Sequence, residues 1–101
     1  MYVVVHHRIK NPQTAFARGE RLIQNTGAPA GARGLEFYPS VDGSAVTCLW
    51  EASSVQSIQE YVDSTLGDSS ENVCYEVNAS QAFAERPSGV AVPPARAISS
   101  A

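Results

Sequence analysis

No apolar run in this chain approaches the ~20 residues a membrane-spanning helix needs. The opening MYVVVHHRIK has only a short apolar stretch, followed rather than preceded by basic residues, which does not suit a secretory signal. The expectation is a cytoplasmic protein with no membrane partner. Cysteine is scarce: Cys48 and Cys74 are the only two, no C-x-x-C occurs, and their spacing fits no zinc motif. Buried thiols are expected rather than a disulfide, because the strands carrying them are not neighbours in the sheet inferred below. Positive charge is sparse too, with 7 Lys and Arg against 10 Asp and Glu and a net charge of −3. Arg8 and Lys10 stand close together but read as a solvated strand end, so nucleic acid is not an expected partner. There is no nucleophile elbow, no P-loop, no dinucleotide fingerprint and no internal repeat. A serine, a histidine and an aspartate all occur, but no spacing joins them. No cofactor is therefore expected.

What is present is an alternation of strand-like and helix-like segments. Hydrophobic residues make up 44% of the 101 positions, enough for one globular domain with a modest core. Tyr2 to Ile9 is rich in β-branched residues and reads as a buried strand. Asn11-Pro12 is a helix start, since Asn caps and Pro suits the first helical position. Ala15, Phe16, Gly19, Leu22, Ile23 and Thr26 follow at helical spacing up to Gly27. Arg33 to Pro39 is a second strand, with Leu35 and Phe37 on one face and Glu36 and Tyr38 on the other. Asp42-Gly43 signals a hairpin, and Ala45 to Glu51 is the third strand. Ser53 with Gln56 has the pattern of a capping box, opening a helix whose apolar face is Val55, Ile58, Tyr61, Val62, Thr65 and Leu66. Glu71 to Asn78 is the fourth strand. Gln81 to Glu85 suits one more helical turn, and residues 86–101, rich in Pro, Gly, Ala and Ser, read as a tail outside a domain spanning 1–85.

The order β-α-β-β-α-β predicts an α+β, ferredoxin-like fold, a four-stranded antiparallel sheet of order 4-1-3-2 with two helices on one face. The first and third strands are expected side by side at its centre, and a right-handed crossover would make that central pair parallel. The other sheet face carries Tyr2, Val4 and Leu49. It is too apolar to stay wet, which points to a homodimer formed through it.

The element order, the length and the strand texture resemble the dimeric α+β barrel superfamily, in which two ferredoxin-like subunits pack their open sheet faces together. The stretch Ala45-Val-Thr-Cys-Leu-Trp-Glu-Ala52, followed by a serine-capped helix, is similar to small bacterial families of unknown or nickel-binding function. The resemblance covers residues 1 to about 85. It implies a dimer with a pocket between sheet and helices in each subunit. That superfamily holds cofactor-free monooxygenases, cyclases and proteins without known activity, among which fold alone does not choose.

His6 and His7 are neighbours on one strand and so point to opposite faces. His6, with Tyr2, Val4 and Arg8, belongs on the open face; the set Val3, Val5 and Ile9 belongs against the helices. With parallel central strands, Glu51 at the end of the third strand would stand beside His6, orient its imidazole and make a general base of it. Tyr38, Tyr75 and Glu36 are candidate ligand-binding groups, since tyrosine joins an apolar ring to a polar tip. A metal needs three or four converging ligands, and one His with Glu36, Glu51 or Glu76 does not supply them. Three readings stand: a homodimer binding a small apolar or aromatic ligand, a cofactor-free enzyme using His6 as acid–base group with Glu51, and a nickel-type metal binder.

Overall fold

Alternation decides this sheet. Val3 and Val5 are completely buried while Tyr2 and His6 are exposed, so β1 (Tyr2–Ile9) turns one row of side chains inward and the other outward. In the computed structural model, which describes residues 1–94, α1 (Pro12–Ile23), β2 (Arg33–Pro39), β3 (Ala45–Glu51), α2 (Val55–Leu66) and β4 (Ser70–Glu76) follow. The strands form one sheet of order β2-β3-β1-β4, the βαββαβ arrangement of a ferredoxin-like fold. Every neighbouring pair is antiparallel.

The parallel central pair is therefore corrected. The α1 crossover sends β2 in the same direction as β1, and the hairpin at Asp42-Gly43 then reverses the chain, so β3 enters beside β1 running the other way. Gly43 turns with φ of 78°. Asp42 Oδ1 holds the hairpin by accepting from Ser40 Oγ at 2.8 Å, Ser44 N at 3.0 Å and Ser44 Oγ at 2.7 Å. These donors keep its carboxyl at a pKa of about 2.

Both helices begin at side-chain caps. Asn11 Oδ1 accepts from Thr14 N at 3.2 Å, with Pro12 in the first turn. The second cap is Ser54, not Ser53: its Oγ accepts from Ser57 N at 3.0 Å, and Gln56 instead reaches Glu60 one turn on, at 3.0 Å. Helix α1 stops at Ile23, earlier than its apolar spacing suggests, because Asn25 takes a left-handed φ of 60°. Phe16 was placed with the apolar face by spacing, but it points outward and is 74% exposed. The turn expected over Gln81–Glu85 lies earlier, at 79–81, where Gln81 N and Ala82 N donate to Asn78 O at 3.1 and 3.0 Å, and no helix continues to 85; residues 86–94 are exposed, and the remainder of the predicted tail, 95–101, lies outside the described residues.

The core fills the layer between sheet and helices. Val3, Val5, Cys48 and Trp50 meet Ile58, Tyr61 and Val62 there. Trp50 packs edge-on against Tyr61, ring centroids 5.8 Å apart at 88°, and a Cβ on Gly34 would lie 3.6 Å from the indole. Cys48 and Cys74 flank Val5 from the strands on either side of it, two strand spacings or roughly 10 Å apart, too far for a disulfide. Burial pushes Cys48 up to about 12 and Cys74 to about 11, so neither thiol is a ready nucleophile.

Candidate functional site

All five side chains singled out from the sequence lie on the sheet face that the helices leave open. Registers set them in rows. Tyr38, Thr47, His6 and Val73 form one row across the four strands; Glu36, Leu49, Val4 and Tyr75 form the next. A third row runs Arg33, Glu51, Tyr2. A one-residue bulge at Leu35, between Gly34 opposite Trp50 and Glu36 opposite Leu49, keeps Glu36 and Tyr38 on this face.

The rows separate residues that a parallel pair would have joined. Glu51 stands opposite Tyr2, whereas His6 stands opposite Thr47, four residues away along β3, or roughly 13 Å. Glu51 is held instead by Arg33, Nη2 to Oε2 at 3.0 Å. The nearest partner of His6 is a hydroxyl, Thr47 Oγ1, 3.4 Å from Nδ1. Such a long contact to an uncharged group does not make a general base of the imidazole. Arg8, on the same face, binds Glu71 Oε2 through Nε at 3.0 Å and Nη2 at 2.7 Å, and the guanidinium holds that carboxyl below its usual range.

The two described cavities lie outside the sheet–helix layer. One, of about 420 Å³, is an open groove at the β1 and β4 ends, lined by Met1, Tyr2, Glu76, Val77, Asn78 and Ala79. The other, of about 270 Å³, lies between the loop after α1 and α2, against Tyr61 and Glu60. His6 lines neither. Among the described residues no group of three or more His, Cys, Asp and Glu gathers where a metal could be held, and no helix is long and apolar enough to cross a membrane.

The helix face holds a polar cluster the sequence reading missed. His7 is 2% exposed. Its Nδ1 lies 2.6 Å from Asn72 Oδ1, which also accepts from Ser70 Oγ at 2.7 Å, while Asn72 Nδ2 donates to Asp63 Oδ1 at 2.9 Å. With the amide nitrogen turned to Asp63, its oxygen faces His7, so His7 carries its proton on Nδ1. Gln59 closes the cluster by donating to both Asp63 oxygens at 3.1 Å and to Asn72 O at 2.9 Å. The signal available was the polar alternation Ser70, Asn72 on a strand whose inward positions should be apolar.

Burial lowers the His7 pKa from its ordinary 6.5, outweighing the opposing hydrogen bond to Asn72, with His6 lowering it further and Asp63 raising it. The unfolded chain therefore takes up the proton first. Stability contributed here is full above about pH 6.5 and is lost as pH falls through 6.5 towards the lower folded value. Urea midpoints should drop from pH 7.5 to about pH 5.5 in the wild type and drop less in His7→Gln; equal slopes would show that His7 is not the responsible group.

No protein-family model matches this chain, and no curated protein or solved structure matches it either.

Proposed function

We propose that this protein is a homodimer built through the open sheet face, as its likeness to the dimeric α+β barrels implies, and that it holds a small apolar or aromatic ligand against that face, between the subunits rather than between sheet and helices. One observation carries this reading. Tyr2, Tyr38, Val73 and Tyr75 are 41%, 38%, 63% and 56% exposed on a single face, around a half-buried centre of Val4 and Leu49. Contiguous exposed apolar surface of this kind marks a binding surface.

A second copy is the occupant that the charges favour. Arg8–Glu71 and Arg33–Glu51 are ion pairs within the face, at opposite corners of it. Two arginines against three glutamates leave the face close to neutral, so two copies approach without strong repulsion. Core side chains from the sheet and α2 meet in the sheet–helix layer, which favours the open side for a ligand, with Tyr38 and Tyr75 on the outer strands as its walls. Binding is favoured over acid–base chemistry because, among the described residues, His6 meets the Thr47 hydroxyl while Glu51 is held by Arg33.

The test is sedimentation velocity at micromolar concentration, together with titration of the aromatic probe 8-anilinonaphthalene-1-sulfonate. A dimer is expected, with saturable probe binding weakened about tenfold in Tyr38→Ala, the usual worth of a buried aromatic contact. A monomer, or probe binding indifferent to both tyrosines, would sink the reading.

A further inference from the structure

The open face carries five charged side chains: Arg8, Arg33, Glu36, Glu51 and Glu71. Four are matched within the chain, Arg8 to Glu71 and Arg33 to Glu51. Glu36 is the exception. It is half-buried, and among the described residues it has no hydrogen bond and no ion pair. His6 is the complementary exception, an exposed imidazole whose only partner among the described residues is the Thr47 hydroxyl at 3.4 Å.

The two cannot meet within one chain. Glu36 is opposite Leu49 and Leu49 opposite Val4, while His6 lies two residues along β1 from Val4. Two strand spacings, roughly 10 Å, separate β2 from β1, and β3 with Leu49 and Thr47 fills the gap. A second copy facing this surface removes that obstacle. Closing the face would strip water from a carboxylate already half-buried, which is costly unless a donor or cation arrives with the partner. The arginines of the partner are engaged with their own glutamates, so the partner's His6 is the unmatched base on offer.

We propose that Glu36 of one subunit pairs with His6 of the partner subunit across the open face, and that twofold symmetry makes this contact twice per dimer. This rests on the homodimer reading. The remaining groups facing the contact are Thr47, Tyr38 and Tyr75, with Arg8–Glu71 and Arg33–Glu51 at the corners of the face.

The experiment is a charge swap read by sedimentation equilibrium. Glu36→Gln and His6→Gln should each raise the dimer Kd about tenfold or more. The double variant Glu36→His with His6→Glu should return to within about threefold of the wild-type Kd, because the swap keeps one anion and one base in facing places. Far-UV circular dichroism and urea midpoints of the monomer confirm that each variant folds. Single variants that leave Kd unchanged, or a swap that does not recover, overturn the pair while the dimer stands. A monomeric wild type overturns the dimer, and the pair with it.

Discussion

Trp50→Ala is expected to lower the unfolding free energy by about 3–5 kcal/mol, the usual cost of removing a buried large aromatic. Trp50 is 3% exposed, meets Tyr61 edge-on and lies against the backbone of Gly34. Among the described residues its Nε1 has no hydrogen-bond partner, so the loss is one of packing and burial. A domain of this size is stable by roughly 5–15 kcal/mol, which makes this one side chain a large part of the total. The urea midpoint should fall by about 2 M at an m-value typical of small proteins. Phe16→Ala, on the exposed side of α1, should stay within about 0.5 kcal/mol. If both variants cost the same, the described core is wrong.

If the proposed homodimer forms through the open face, Leu49→Glu should weaken it on the order of 100-fold or more, about 3 kcal/mol. Leu49 is at the centre of the open face, opposite Val4 on one side and Glu36 on the other. In the monomer the new carboxylate stays half in water, so the fold should tolerate it. In the proposed dimer it would be buried beside Glu36, where the partner's His6 is already engaged and nothing is left to meet a second carboxylate. Sedimentation equilibrium gives the Kd, and urea unfolding in dilute solution shows whether the monomer is intact. An unchanged Kd would mean that the two copies do not meet through this face.

Much of this molecule is legible residue by residue. Asn11-Pro12 opens α1 because a side-chain oxygen and a fixed φ act within one turn of chain. The separation of His6 from His7 follows from the period of two in a strand, and it holds whatever the neighbouring strand does. For the same reason Glu36 and Tyr38, two residues apart on β2, share a face. The second helix start was displaced by one residue because Ser53 and Ser54 offer the same chemistry and only the path of the chain selects between them.

Alternation and capping, then, are properties of adjacent residues, and the sequence by itself determined the elements, their order and which neighbours along a strand stand on opposite faces. Which strand ends coincide is a different kind of fact. It depends on how many times the chain reverses before it returns, and the Asp42-Gly43 hairpin turns β3 against β1, carrying Glu51 away from His6 to Arg33. The His7–Asn72–Asp63 cluster is likewise a tertiary product, since its members come from β1, β4 and α2 and meet only when α2 packs over β4. The solitude of Glu36 is the third such fact. A carboxylate is known to be unmatched only once every neighbour on its face has been placed, and sequence spacing places neighbours along a strand but not across three of them.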